Sequence, residues 1–356
     1  MTDNLNSKPA KPTAKPMSFR PISLKQLAAH LDLDPSTVSV VLNNTPGRSI
    51  STATRERVKA AAKELNYHPN LLARSLRSRR TLTVGLLVPV LGEGYHTQIM
   101  AGIGDQLIGA GYFYLTAHHR HRPELIEEYI RMLVGRGAQG LIAVDTLLEH
   151  PLPIPTVTVA GHRSLEGVTN VVLDHAHAAA LTLDHLYDLG HREIAFMRGQ
   201  PFSSDSDVRW QELERYASRI GLKIKPELVV SLDRDISSPE LGYPVVQQLM
   251  ASGHPFTALV AFNDNAAIGA IRAFQDLNLS VPMDVSIIGF DDVNASSYST
   301  PRLTTINQPL AEMGRIATQA LLNKIHDTMP PRDELVVQPT LVVRESTAVA
   351  LKRPRA

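Results

Sequence analysis

The sequence predicts an all-α helix-turn-helix head at the N-terminus and a larger α/β body of two sublobes behind it, on three observations. The charge is split. Residues 1–80 carry 14 Lys and Arg against 5 Asp and Glu, so a head of net +9 joins a remainder of net −8 in a chain of net +1. Three short amphipathic helices with clear start signals occupy the basic end. Beyond residue 80, short apolar runs alternate with amphipathic stretches, the pattern of parallel strands joined by crossover helices.

Composition narrows the classes. The 356 residues include no cysteine, which removes disulfides, thiolate metal sites and cysteine nucleophiles and suits a reducing cytoplasm. No apolar run reaches the length of a membrane span. The polar start, with its Lys8-Pro9, Lys11-Pro12 and Lys15-Pro16 units, lacks the apolar stretch of a secretory signal. Residues 1–18 read as a disordered tail, and the protein as cytoplasmic with no membrane partner. A basic end on an acidic body suits a polyanion that meets one end only.

The head spans residues 19–67. Ser23 and Gln26 form a capping-box pattern, after which Leu24, Leu27, Ala28 and Leu31 share a helical face. Asp34 caps a second helix that opens with Pro35, where a missing N–H costs nothing. Val38, Val41 and Leu42 face inward, leaving Ser36, Thr37, Ser39 and Val40 outside or partly so. A third helix begins at Ser51 and buries Val58, Ala61, Ala62 and Leu65. Helix, tight turn and short helix with a small polar leading edge can set that edge against bases in a major groove. A plain three-helix bundle is the bland alternative, and the charge and exposed hydroxyls argue against it. Residues 68–80 form a hinge and linker. Pro69 opens a helix too short to be stable alone, and Leu76 is an apolar residue among arginines, suited to a wedge between base steps.

In the body, residues 81–347, strands are expected at Thr83–Val88, Phe113–Thr116, Gly140–Val144, Val157–Val159, Ile194–Met197, Ala258–Ala261 and Val285–Gly289. Helices are expected at Leu125–Arg136, Ala176–Leu189, Asn265–Asp276 and Leu310–His326. These exceed what one modest sheet needs, hence two sublobes. Residues 348–356 are expected to be a tail without a leucine heptad, which favours a dimer over a coiled-coil tetramer.

Ligands of open α/β sheets bind beyond the carboxyl ends of the strands. Tyr95 and His96 follow the first strand; Arg209, Asn263-Asp264-Asn265 and Asp291-Asp292 follow later ones. Arginine, asparagine and aspartate at one cleft suit a ligand with many hydroxyls or a carboxylate. Trp210 is expected in the core. His118-His119-Arg120-His121-Arg122 reads as a solvated loop, since interleaved arginines repel a cation. His175 and His177 flank a helix start capped by Asp174. No nucleophile with a base, metal cluster or phosphate loop is completed, so no enzyme activity, cofactor or metal is expected. The alternatives are a sugar-binding protein that does not touch DNA and an α/β enzyme acting on a sugar or nucleoside; neither accounts for Asp34 through Leu76.

Ser23-Leu24-Lys25-Gln26-Leu27-Ala28, Ser36-Thr37-Val38-Ser39, Asn43, Thr54-Arg55-Glu56-Arg57-Val58, Glu64-Leu65-Asn66-Tyr67 and Pro69-Asn70-Leu71-Leu72-Ala73-Arg74-Ser75-Leu76 together resemble the lactose-repressor (LacI/GalR) family. The resemblance runs to about residue 347 and implies a periplasmic-binding-protein-like core whose chain crosses between sublobes more than once. It implies that Pro35, Ser36 and Val40 face base edges, and that Ser23, Thr37, Ser39, Asn43 and Thr54 hold phosphates. Leu76, with Asn70 and Ala73 beside it in the hinge, would enter the minor groove. Two chains would read a pseudo-palindromic operator as a homodimer, switched by a small effector, a sugar or sugar derivative, between the sublobes. Arg209, Asn263 and Asp291 match the family's effector positions. The sequence departs from the family at Val40, where arginine is frequent, at the longer turn 44–49, and at Ala160, where many relatives carry aspartate.

Overall fold

The computed structural model describes residues 22–43, 49–67, 80–92, 94–233, 238–330 and 332–351. The chain divides into two units, Met1–Arg79 and Arg80–Ala356.

The first unit contains α1 (Leu24–His30), α2 (Pro35–Leu42) and α3 (Thr52–Glu64). Each starts where the sequence predicts. The Ser23 hydroxyl accepts from the Gln26 N–H at 3.2 Å, and Gln26 Oε1 accepts from the Ser23 N–H at 2.8 Å. Asp34 accepts from the Ser36 N–H at 2.7 Å, and Ser51 caps α3 through Thr54. These bonds satisfy donors that a helix N-terminus would otherwise orphan. Leu27, Ala28, Leu31, Val38, Val41, Val58, Ala61 and Ala62 form the small core, with Leu42 and Leu65 half-buried against it. The Arg57 guanidinium donates to the Leu31 carbonyl and ties α3 to the end of α1. The expected hinge, including Asn70, Ala73 and Leu76, lies outside the described residues.

The second unit holds two sheets. In chain order its elements are β1 (Thr83–Val88), α4 (Tyr95–Gly109), β2 (Phe113–His118), α5 (Pro123–Gly135), β3 (Leu141–Val144), β4 (Thr156–Val159), β5 (Val168–Leu173), α6 (His175–Asp188), β6 (Ile194–Arg198), α7 (Ser204–Arg219), β7 (Val229–Ser231), α8 (Tyr243–Ala251), β8 (Ala258–Val260), α9 (Asp264–Asp276), β9 (Ser286–Asp291), β10 (Thr304–Asn307), α10 (Leu310–His326), β11 (Glu334–Val337) and β12 (Thr340–Val342). The first sheet has the order β11-β5-β4-β3-β1-β2, all parallel. The second has the order β12-β10-β9-β8-β6-β7, parallel except for the β10–β12 pair. Helices cover both faces of such sheets, so the inner strands bury every residue or nearly so.

The chain crosses between sublobes three times: from β5 into α6, from β10 into α10, and from β11 into β12. The helix α10 belongs to the first sublobe. Its Leu310, Met313, Ala317 and Leu321 pack among Val84, Ile99, Ile103 and Ile142. It crosses α4 so closely that a Cβ on Gly102 would sit 1.9 Å from the Ala311 carbonyl oxygen, a distance only glycine permits.

Three expectations are corrected. Ala348 and Ala350 are not tail: the Ala348 carbonyl accepts from His191 Nε2 at 3.0 Å, and the Ala350 N–H donates to Leu189 at 2.8 Å. The strand expected at Val285–Gly289 runs on to Asp291, which is its last residue. The 118–122 segment is solvated only in part: His118, Arg120 and Arg122 are exposed, but His119 is 1% exposed. Trp210, by contrast, is core, edge-on to Phe196 with ring centroids 5.7 Å apart.

Candidate functional site

The carboxyl ends of strands from both sheets open onto one cleft. Tyr95 and His96 enter from the start of α4, and Asp145 follows β3. Gln200, Phe202 and Ser203 come from the segment between β6 and α7, and Asp205 and Arg209 from α7. Asn263 caps α9, and Asp291 ends β9. The five residues singled out in the sequence (Tyr95, His96, Arg209, Asn263 and Asp291) therefore line a single cavity, as does Asn265.

Arg209 is held on all sides. One Nη donates to the Phe262 carbonyl and the other to Asp205 Oδ2 at 3.2 Å. The guanidinium carbon lies 3.7 Å from the Phe290 ring centroid and 4.4 Å from that of Phe262, close enough for cation–π attraction. Its Nε is buried with no hydrogen-bond partner.

Asp205 is the electrostatic centre. Burial alone would raise its carboxyl, but the His162 and His175 imidazoles reverse that and hold it well below the usual carboxylate range. His162, on a tight turn after β4, touches Asp205 Oδ1. Burial works against the His162 proton, yet the facing carboxylate wins and raises its pKa. His175 sits 3.3 Å from the same oxygen, and burial leaves its pKa lowered. Two carboxylates behave differently from Asp205. Asp291 accepts from Gln308 Nε2 at 2.6 Å and is raised by burial, with Arg209 only partly offsetting it. Asp264, fully buried beneath the cleft, is also raised by burial.

Contacts cross the cleft at Ser204. Its hydroxyl lies 2.8 Å from Asp145 Oδ1 and against the Ala160 carbonyl, so its one proton serves one oxygen at a time. Asp145 also faces His96 Nε2 at 3.4 Å. The Asn263 side-chain oxygen is used in capping the Ala266 N–H, which leaves its amide N–H groups for a ligand. The Tyr95 hydroxyl is buried without a partner, and burial followed by the charges of Asp205, Asp145 and Asp291 drives its pKa well up.

Sequence reasoning missed Asp145, Asp205, Gln200, Phe202 and His121. Asp145 directly follows an expected strand, so the strand-end rule could have found it. His121 packs on Phe202 with centroids 4.4 Å apart and lines the cleft. Asp174 does cap α6 through His177 at 2.9 Å, but the His175 ring belongs to the Asp205 group.

His119 carries a pH prediction. Thr146 donates its proton to the Val144 carbonyl, so at 2.9 Å it accepts from His119 Nε2, fixing a neutral ring whose Nδ1 has no partner. Burial, then neighbouring His121, lowers its pKa to about 4. The folded value is depressed, so the stabilisation is complete above the unfolded pKa of 6.5 and is lost as pH falls from there toward 4. The loss is up to about 3 kcal/mol. Urea titrations across this window should show a shallower slope in His119→Gln than in the parent.

In the head, Ser36, Ser39, Val40 and Asn43 share the face of α2 opposite the buried Val38 and Val41. Asn43 Nδ2 donates to the Ser39 carbonyl at 2.8 Å and ties the end of that face. Pro35 and Thr37 are half-buried beside it. Ser23 is exposed at the start of α1, and Thr54 lies 2.8 Å from Ser51 in the first turn of α3. No helix among the described residues is long and apolar enough to cross a membrane.

Residues 28–70 match the model of bacterial regulatory proteins of the lacI family, and residues 183–347 match that of a periplasmic binding protein-like domain. The HTH-type transcriptional repressor PurR of Erwinia tasmaniensis is 32% identical over 335 residues, 92% of this chain and 97% of that protein. The crystal structure of a lac repressor dimer bound to operator and the anti-inducer ONPF superposes with a TM-score of 0.81 at 26% identity, over 92% of this chain and all of the other. A complex of the transcriptional regulator CelR with cellobiose gives a TM-score of 0.67 at 27% identity, over 91% of this chain and 99% of that one.

A helix-turn-helix head joined to a two-sublobe core with a polar cleft defines a ligand-binding transcription regulator. The chain belongs to the lacI family of bacterial regulatory proteins, and its function is sequence-specific DNA binding in the control of transcription.

Proposed function

We propose that the protein is a cytoplasmic repressor that grips a pseudo-palindromic operator as a homodimer, and that a neutral sugar in the cleft switches its affinity. The observation that carries the ligand class is how the cleft's charges are already spent. Two of the five Arg209 N–H donors already serve Asp205 and the Phe262 carbonyl, so an anionic ligand would meet Asp145, Asp205 and Asp291 with a guanidinium whose charge is partly spent. Hydroxyls suit such a site because each both donates to carboxylates and accepts from Nε and the amide of Asn263. Phe202 and Phe262 offer apolar surfaces for the C–H faces of a sugar ring. The CelR–cellobiose complex is in keeping with this class, and the operator-bound lac repressor dimer with the partner and the assembly.

For a switch, the sugar must bind two sublobe arrangements unequally. Ser204, bridging Asp145 and Ala160 of the other sublobe, is a contact whose strength would differ between them.

Selection of duplexes from a random pool, repeated with neutral sugars and with sugar phosphates, tests the proposal. A palindrome whose recovery shifts with a neutral sugar is expected; a response confined to sugar phosphates would reverse the ligand assignment. Ser36→Ala combined with Asn43→Ala should weaken binding to the selected operator by about 10- to 100-fold, the cost of one or two base or phosphate contacts. Both positions are exposed, so the melting temperature should fall only slightly, through loss of the Asn43 bond to the Ser39 carbonyl. Unchanged operator affinity in this variant would remove α2 from the interface.

A further inference from the structure

We propose that His162, His175 and Asp205 form a binding site for a divalent transition metal of the zinc class, seated at the junction of the two sublobes. One donor atom of each residue lies within 4.8 Å of the others. Two imidazoles and one carboxylate are a ligand set that suits zinc and its first-row neighbours. The edge between His175 Nε2 and Asp205 Oδ1 is 3.3 Å, which matches the separation of two ligands each about 2 Å from a tetrahedral ion; His162 Nε2 touches the same oxygen and must draw back to admit one.

His175 supplies an independent observation. The residue is 5% exposed, yet neither ring nitrogen has a hydrogen-bond partner, and the 3.3 Å approach of Nε2 to Asp205 is not aligned as a hydrogen bond. A buried imidazole without partners costs stability. A metal ion would take up one nitrogen directly.

The surroundings allow the charge. Arg209 approaches Asp205 through Oδ2, leaving Oδ1 toward the histidines. That arrangement orients a ligating carboxylate without occupying the donor atom. Asp205 supplies the main negative field at His162; Asp145 adds to it, and Arg209 opposes it. His162 is presented by the Ala160-Gly161-His162 turn, in which Ala160 and His162 both have positive φ. Asn170 pins that turn by accepting from the Gly161 N–H at 3.1 Å and the Thr158 hydroxyl at 2.8 Å.

The placement gives the ion a mechanical role. His162 follows β4 of the first sublobe, whereas Asp205 lies in α7 of the second and His175 opens α6 at the crossover. A bound ion would join the sublobes and favour the arrangement in which all three ligands meet. The site shares Asp205 with the sugar reading but draws on neither ligand hydroxyls nor Arg209 Nε, so the two can be tested separately.

The test uses the untagged full-length protein, stripped with chelator and titrated calorimetrically with zinc chloride, and with cobalt chloride while visible absorption is followed. One equivalent is expected to bind, cobalt should give the intense bands of a tetrahedral site, and zinc should raise the melting temperature. His162→Gln, at the half-buried edge of the cluster, should weaken zinc binding by roughly 10- to 100-fold or more. His175→Gln should do the same, and circular dichroism will show whether it folds. His118→Gln, on the neighbouring histidine-rich segment, should bind as the parent does. Absence of stoichiometric binding by the parent, or unchanged affinity in His162→Gln, overturns the assignment. A sugar response in the chelator-treated protein would then leave the proposed function standing without the ion.

Discussion

Arg209→Ala is expected to keep operator binding but to respond to effector only at concentrations about 10- to 100-fold higher than the parent needs. A hydrogen bond from a charged donor is worth about 1.5–3 kcal/mol, and the unpartnered Nε is the donor such a bond would use. The same substitution strips Asp205 of its guanidinium partner at 3.2 Å and leaves the Phe262 and Phe290 rings facing a void. Some stability should therefore go with it. Arg209→Lys separates the two effects. An ammonium can still neutralise Asp205 but cannot reproduce a planar fork between two rings, so stability should return further than effector response. Operator-binding assays with and without effector, beside urea titrations of both variants, read the two losses. Full effector response in both would show that Arg209 is structural only.

The second large effect is expected at Asp264, which is fully buried and does not line the cleft. Its carboxylate accepts from the Val293 N–H at 2.9 Å, the Ser296 hydroxyl at 2.6 Å and the Thr305 hydroxyl at 2.6 Å. It thereby ties the start of α9 to the segment after β9 and to β10. Burial raises its pKa despite these donors. Asp264→Ala would leave three buried donors unpaired, at about 1–3 kcal/mol each, a total of roughly 3–9 kcal/mol. That is a large share of the 5–15 kcal/mol typical of a folded domain, by order of magnitude. Asp264→Asn keeps the volume but turns an amide N–H₂ toward a donor, so an intermediate loss is expected. Denaturant midpoints measure both, and a loss below about 1 kcal/mol in the alanine variant would show that the segment after β9 can repack around the gap.

What the sequence displays and what it conceals divide along a physical line. Helix starts are local chemistry: Ser23, Asp34, Ser51 and Asp174 cap where their spacing to the next N–H groups says they should. Central strands such as Leu141–Val144 stand out because burial on both faces makes them uniformly apolar. The strands Val168–Leu173, Thr304–Asn307 and Glu334–Val337 were not legible, since threonine, asparagine and glutamate interrupt their runs. The edge strand Thr340–Val342 is simply too short.

In the cleft, the strand-end rule together with the family resemblance located five lining residues. It could not show that Asp205, one helical turn before Arg209, is the group around which the charges organise. Nor could it show that His162 and His175, 13 positions apart in sequence, meet one carboxylate oxygen. That convergence is produced by the crossover from β5 to α6, which no local pattern reports. The hinge expected at Asn70, Ala73 and Leu76 lies outside the described residues.

The three crossings between sublobes also govern how the body can be made. Neither sublobe is a continuous stretch of chain. The first takes in residues 80–173 and then 308–337, while the second uses 174–307 and then 338–350. During synthesis, β1 to β5 leave the ribosome long before α10 exists to cover them. The apolar face that will receive Leu310, Met313, Ala317 and Leu321 must wait for more than a hundred residues. A chain cut anywhere before β11 thus yields no complete sublobe. Transplanting a sublobe requires moving two segments together, and swapping one at a single junction will leave a core half built.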